Sequence, residues 1–405
     1  MAERVVVAGA GHAAGQLVAR LRAEEFAGEI VLVGDETTLP YQRPPLSKAY
    51  MAGEIGLERV LLRNQAFYDD NNIDVRLNTR VDAVDCDAKS VTLNDGEKLE
   101  YTHLVLATGT RVRELPVAGA DLSGVFYLRS LEDADGIGAA LKTTPQVAVV
   151  GGGYIGLEVA AIARKAGCEV TVLEAMPRVL ARTTTETTSA HMTELHAGHG
   201  VSIRTGAKVA SFAGDGGQVS GVVLDDGELV PAEVVVVGVG VLPNQEIAEA
   251  AGITVDDGIV VDARGATNAE NVWAIGDCTR HPSALYGTTL RLESVHNAMT
   301  QSRVVAANIA GKSVEYNEVP WFWTDQYDAK LQSVGIPDGH DQTVVRGDPA
   351  AGAFTVFALK AGRVIAAESV NAMREHMDCR KLAGAQAEVA ADVLADPETN
   401  LKELL

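Results

Sequence analysis

Arg4-Val-Val-Val-Ala-Gly9-Ala-Gly11-His-Ala-Ala14-Gly15 is a β-branched run, a glycine turn and the start of a helix that reads on to about Ala23. A second strand, Ile30-Val-Leu-Val33, ends in Gly34-Asp35-Glu36. The same succession returns at Gln146-Val-Ala-Val-Val-Gly151-Gly-Gly153-Tyr154-Ile155-Gly156, with a helix to about Ala166 and a strand Glu169-Val-Thr-Val-Leu173 that ends in Glu174. Each part has a physical reason. Gly9 and Gly151 permit a tight turn, Gly11 and Gly153 let a pyrophosphate approach the backbone, and Ala14 and Gly156 let helix and strand pack closely. The helix N-terminus offers unpaired N–H groups and the positive end of its dipole to the phosphates. An acid about 20 residues on receives ribose hydroxyls; Asp35 stands 20 positions after Gly15 and Glu174 stands 18 after Gly156. One such glycine turn is weak evidence, since it can be mere loop punctuation. Two copies, each with strand, helix and terminal acid, imply two dinucleotides on one chain.

The rest of the composition agrees. At 405 residues the chain is long enough for two or three domains. Many glycines (40) with few aromatics (5%) suit an α/β protein full of strand-to-helix turns. A formal charge of −21 argues against nucleic acid or an anionic membrane as the main partner, without excluding a local basic patch. Cys86, Cys168, Cys278 and Cys379 are far apart and form no CxxC pair, so neither a disulfide scaffold nor a redox dithiol is expected. Met1-Ala-Glu-Arg4 leads into the first strand with no basic and apolar leader, and Val234 to Val241 is too short to span a bilayer. A cytoplasmic protein with no stable membrane association is the expectation. His191, His196 and His199, spaced by five and three, do not stack on one helical face, and no metal is expected there.

Further segments carry a family resemblance. Ala107-Thr108-Gly109 follows the strand Leu104-Val-Leu106, and Ile275-Gly276-Asp277 follows Asn271-Val-Trp-Ala274. Both resemble motifs of two-dinucleotide flavoproteins; the first marks the passage from FAD to NAD domain, and the aspartate of the second binds the ribitol chain. Pro40-Tyr-Gln-Arg43-Pro-Pro-Leu-Ser-Lys48, Arg291-Leu-Glu293-Ser-Val295-His296-Asn297-Ala-Met-Thr-Gln301 and Pro320-Trp-Phe-Trp323-Thr-Asp-Gln326 complete the set. Together they resemble oxygenase-coupled ferredoxin reductases of the putidaredoxin reductase type, almost from end to end. Departures are small: the family often has Asp or His where Gln42 stands, and Gln where His296 stands. The resemblance implies an α/β, glutathione-reductase-like architecture of two Rossmann-like domains and a C-terminal α+β domain. A split FAD-binding domain would occupy 1–108 and 244–318, an NAD-binding domain 109–243, and the C-terminal domain 319–405. The last is expected to hold strands at Thr343-Val-Val, Phe354-Thr-Val-Phe357 and Arg363-Val-Ile365, a helix near Arg380 to Leu394, and a surface tail from Asp396.

The same resemblance implies the site. FAD would be held by Gly9, Gly11, Ala14, Gly15, Asp35, Glu36, Arg43, Lys48, Val81, Ala107, Thr108, Gly109, Arg129, Gly276, Asp277 and Val295. NADH would be held by Gly151, Gly153, Tyr154, Ile155, Gly156, Glu158, Glu174, Gly238 and Gly240. Lys48 and Glu158 are expected to pair near flavin N5, where hydride arrives, and Trp323 to pack beside the flavin. Arg111 and Glu293 are further candidates at the cofactors. With no cysteine before Cys86, electrons would leave the flavin directly, one at a time, to a [2Fe–2S] ferredoxin that supplies a cytochrome P450 or Rieske-type oxygenase. Glu174 would favour NADH by repelling a 2′-phosphate. Arg63, Arg291, Arg303, Lys330 and Arg374 are candidates for a basic docking patch, on a monomer or weak dimer. Rubredoxin, quinone or oxygen remain possible acceptors on the same framework. So does a signalling role similar to apoptosis-inducing factor, although that relative's targeting segment and long C-terminal insertion are not seen here.

Overall fold

The computed structural model describes residues 3–405. Met1 and Ala2, at the head of the segment read for a leader, lie outside them. The chain forms two compact units: 1–43, 56–111 and 241–318 make one, and 44–55, 112–240 and 319–405 make the other.

The first unit is built on a five-stranded parallel sheet in the order Val272–Ala274, His103–Leu106, Arg4–Ala8, Glu29–Val33, Ile73–Arg76. Its strands are runs of Val, Ile and Leu because both faces are covered, as parallel sheets require. On one face the helices His12–Ala23 and Val295–Ile309 bury Leu17, Val18, Leu21 and Val305 against Val5, Val7, Ile30 and Leu32. On the other, Val91, Leu93 and Leu99 of a small antiparallel sheet (Val81–Asp85, Ser90–Leu93, Lys98–Glu100) meet Val6, Val31 and Leu104. Each such side chain, fully buried, contributes about 1.5–3 kcal/mol.

The second unit repeats the plan. Its parallel sheet runs Val201–Thr205, Glu169–Glu174, Gln146–Val150, Val234–Val237, Val125–Tyr127. The helix Tyr154–Lys165 follows the central strand, as His12–Ala23 does in the first unit. A three-stranded antiparallel sheet again covers one face, with Phe212, Val222 and Leu224 on Ala148, Val150 and Val235.

Residues 319–405 add an antiparallel sheet of five strands, in the order Trp321–Gln326, Ala329–Gly335, Arg363–Val370, Ala353–Lys360, Gln342–Asp348. The two strands nearest residue 320 were not anticipated. The helix runs Met373–Ala385, earlier than the expected Arg380 to Leu394. It stops at Gln386, whose φ of 45° breaks the α-helical run, and Glu388 bridges to the sheet at Arg363 before a short helix, Ala391–Ala395. Nor is the tail from Asp396 only a surface segment. Leu401 is buried in the core of this sheet, and the carbonyls of Asp396, Pro397 and Thr399 accept hydrogen bonds from the buried Arg346 guanidinium.

Candidate functional site

In the first unit the expected residues gather at one edge, where consecutive strands end. Arg4–Ala8 runs into Gly9–Gly11, Glu29–Val33 into Asp35 and Glu36, His103–Leu106 into Ala107–Gly109, and Val272–Ala274 into Gly276 and Asp277. Ligands of open α/β sheets bind outside these carboxyl ends. Gly9 has φ 110°, and a Cβ on it would stand 2.3 Å from the Ala107 carbonyl oxygen. Glycine is obligatory there. A Cβ on Gly11 would meet nothing within 4 Å. Gly11 therefore keeps the backbone open toward something other than protein.

Helix termini say the same. Gly11 and Gly153 cap the helices His12–Ala23 and Tyr154–Lys165 with no side-chain hydrogen bond and no acid in the first turn. Among the described residues, every other helix of ten residues or more has a capping side chain or a first-turn acid. Two uncapped N-termini, each behind an open glycine, fit bound phosphates. Gly153, like Gly11, would place a Cβ in open space. The observed geometry thus fits two dinucleotides.

Around the first turn, Arg43 pairs with Glu36 (2.6 Å), which also accepts from the Tyr41 hydroxyl (2.5 Å). Burial opposes the charge of Arg43, but Tyr41, Glu36 and Asp277 outweigh it and hold the guanidinium protonated. Asp35 is exposed, whereas Glu36 is half-buried in this pairing. Gly276 donates its N–H to the buried Gln301 (2.6 Å), which fixes the turn before Asp277. Thr108 donates to the Asn244 carbonyl (2.6 Å). Val295 begins its helix, and Ala14 is fully buried beneath the turn. Gly15 makes room for packing, since a Cβ there would stand 2.6 Å from Pro40 Cβ. Val81 starts an outer strand of the small antiparallel sheet.

His12 is a residue that sequence reasoning passed over. It is the first residue of the helix, yet neither ring nitrogen has a hydrogen-bond partner among the described residues. Burial first, then Arg43 and Arg63, push its pKa down to about 4. Its place inside the glycine fingerprint was the available signal.

In the second unit Gly151 has φ 106°, and its Cβ would stand 2.4 Å from the Gly238 carbonyl oxygen. A Cβ on Gly156 would stand 2.1 Å from the Gly151 oxygen, so helix and turn are in contact there. Glu174 accepts from the Gly152 N–H (2.6 Å) and the Met176 N–H (2.7 Å), which places its carboxylate beside the glycine turn. Gly240 has φ 106° and Ile155 is exposed. Tyr154 stacks on Phe322 with centroids 4.4 Å apart. Arg129 is half-buried, and its N–H donates to Asp133 (2.9 Å).

Lys48 and Glu158 meet in this unit. Segment 44–55 belongs with it, and Lys48 Nζ lies 2.7 Å from Glu158 Oε1. Glu158 is 4% exposed and also accepts from the Ser47 and Thr324 hydroxyls. A carboxylate so buried needs this company. Trp323, next to Thr324, is half-buried with its ring 5.2 Å from that of Trp321.

Arg111 pairs with Glu246, Arg291 with Asp257 and Glu293, and Arg303 with Glu318. Arg291 and Arg303 thus bring little free positive charge to a docking patch. Arg63 lies over the Phe67 ring, and Lys330 and Arg374 line a groove of about 500 Å³ beside the exposed Met373. His191 packs on Phe354, His196 bonds Gln326 and His199 stacks on Tyr327. The four cysteines are free thiols, three of them buried.

Residues 3–302 match the family described as pyridine nucleotide-disulphide oxidoreductase. The chain belongs to that family. Residues 321–405 match a reductase C-terminal domain. Rhodocoxin reductase of Rhodococcus erythropolis is 43% identical over 98% of this chain and 93% of its own. Among solved structures, the ferredoxin reductase for the CYP199A2 system from Rhodopseudomonas palustris superposes with a TM-score of 0.97 at 43% identity, covering 99% of both chains. The covalent putidaredoxin reductase–putidaredoxin complex gives 0.96 at 42%, over 99% of this chain and 98% of that one. Within the family the chain is thus of the putidaredoxin reductase type, with the glutathione-reductase-like fold. Despite the family's name it carries no cysteine pair.

Proposed function

We propose that this protein is an NADH-dependent FAD flavoprotein that reduces a [2Fe–2S] ferredoxin serving a cytochrome P450 or Rieske-type oxygenase. The observation that carries the reading is the pair of open, uncapped glycine–helix turns in a chain with no dithiol. Two dinucleotides bind, and no thiol relay stands between them and the acceptor.

The parts of the chain divide the work. Segments 1–108 and 244–318 hold FAD, 109–243 hold NADH, and 319–405 complete the unit. In the first unit Gly11 and the first helix turn take the pyrophosphate, and Arg43 and Asp277 lie beside that turn. In the second, Gly153 takes the pyrophosphate of NADH and Glu174 its ribose hydroxyls, with Gly238 packed against the Gly151 turn and Gly240 close by in the chain. When bound, FAD would supply a two-electron acceptor for hydride that can pass electrons on one at a time. Lys48 and Glu158 serve the hydride step: the cation opposes negative charge developing on the acceptor, and Glu158 fixes the cation's place. No general acid or base is needed for hydride transfer itself, so positioning and electrostatics supply the rate.

Among the described residues no helix is long and apolar enough to cross a membrane. A cytoplasmic location is part of the proposal.

Stopped-flow mixing of the purified enzyme with NADH, then with ferredoxin, rubredoxin, a quinone or oxygen, tests the reading. Ferredoxin should reoxidise the flavin fastest. A faster quinone or rubredoxin reaction would replace ferredoxin as the acceptor.

A further inference from the structure

The histidine that a metal reading would have claimed has another occupation. His196 is fully buried on the helix Glu186–Gly198, with Nε2 2.8 Å from Gln326 Oε1. Because the Gln326 oxygen can only accept, the imidazole donates from Nε2. The Gln326 amide in turn donates to the Thr324 hydroxyl (3.1 Å), and that hydroxyl donates to Glu158 Oε1 (2.5 Å). All four side chains are buried, and every donor points toward Glu158. Such a chain polarises itself, each bond strengthening the next.

The helix that carries His196 is anchored at its start. Thr185, at the start of the same helix, gives both its N–H (2.8 Å) and its hydroxyl (2.7 Å) to the buried carboxylate of Glu368 on the C-terminal sheet. The His196 ring packs edge-on against Tyr327, and its Nδ1 has no hydrogen-bond partner among the described residues. Burial, only partly offset by Gln326, lowers its pKa and favours the neutral ring.

We propose that Thr324, Gln326 and His196 are positioning residues that hold the Glu158 carboxylate against Lys48 for hydride transfer. The proposal rests on the reading of the Lys48–Glu158 pair given above. It assigns to the C-terminal sheet a part in the reductive half-reaction, through Thr324 and Gln326.

Two variants of one position separate this role from packing. Thr324→Val keeps the shape and loses the donor; Thr324→Ser keeps the donor. In the holoenzyme, Thr324→Val should slow flavin reduction by NADH by about ten- to a hundredfold, the worth of one hydrogen bond to a charged group. The dissociation constant for NADH should stay within about twofold, and Thr324→Ser should restore the rate. Nitrogen-15 NMR of labelled histidine should show His196 protonated at Nε2 alone, and Gln326→Leu should lose that preference. Glu158→Gln is the control on the underlying reading. If it slows reduction while Thr324→Val does not, the positioning chain is wrong and the pair stands. If Glu158→Gln leaves the rate unchanged, the reading of the pair falls and the chain with it. An Nδ1–H tautomer in the unmodified enzyme would overturn the direction of the chain.

Discussion

Gly11→Val separates loss of cofactor from loss of fold, because glycines a few residues apart carry different burdens. Gly11 sits at φ −80° and ψ −165°, an extended conformation open to any residue, and a Cβ there meets no protein atom within 4 Å. The apoprotein should therefore fold. Its only direct penalty is valine in place of glycine at an N-cap, about 1 kcal/mol, partly offset by a stiffer unfolded chain. The melting temperature of the apoprotein should fall by no more than about 2–4 °C. The cofactor meets a different obstacle. In the proposed placement, the isopropyl group would fill the space through which phosphate oxygens reach the first-turn N–H groups. Losing two such bonds to a charged group costs about 3–6 kcal/mol, which weakens FAD binding by roughly 10²–10⁴-fold.

Gly9→Val and Gly156→Val should fail in another way. Their Cβ atoms would stand 2.3 and 2.1 Å from backbone oxygens, so the turn itself must break. The assay is isothermal titration of FAD into each apoprotein, with thermal melting alongside. Gly11→Val should melt almost normally and bind weakly, whereas the other two should melt early. Full FAD affinity in Gly11→Val would refute the placement of the pyrophosphate. So would an apoprotein as damaged as that of Gly9→Val.

Other expectations follow from particular contacts. The unmodified enzyme should prefer NADH to NADPH by at least about tenfold, and Glu174→Ala should narrow that ratio in steady-state kcat/KM, since the Glu174 carboxylate lies beside the Gly152 turn. Arg346→Met should destabilise by about 3–5 kcal/mol, since Glu375 loses its buried partner and three tail carbonyls lose their donor; limited proteolysis should then release residues from 396 onward first. His281 is buried with its pKa pushed down to about 4 from the ordinary 6.5. The unfolded chain takes up that proton first, so the stability is complete above pH 6.5 and is lost as pH falls from there toward 4, to about 3 kcal/mol in all. Chemical denaturation of His281→Gln should show a shallower decline across that window than the unmodified protein.

What could be read from the chain alone follows from how far apart the interacting residues lie. The two glycine turns, their strands and their helices are local, set by residues within a few positions of one another, and each has a backbone reason that shows in the letters. Gly11 and Glu174 could be singled out because the turn and the strand end that place them are near neighbours in the chain. Lys48 and Glu158 were reached only through resemblance, since no spacing rule joins residues so distant. The links to Glu158 from Ser47 and Thr324 span separations of 111 and 166 residues, and His196 meets Gln326 across 130. Nothing in a histidine on a weakly amphipathic helix says which strand will lie over it. The same reason hid the anchoring of the tail. Asp396 to Thr399 reads as surface because three of its four side chains are polar and the fourth is proline, but its carbonyls, which every residue has, are what Arg346 binds. Side-chain chemistry can be read along a sequence, whereas backbone acceptors and distant hydroxyls become visible only when the sheet brings them to a buried charge.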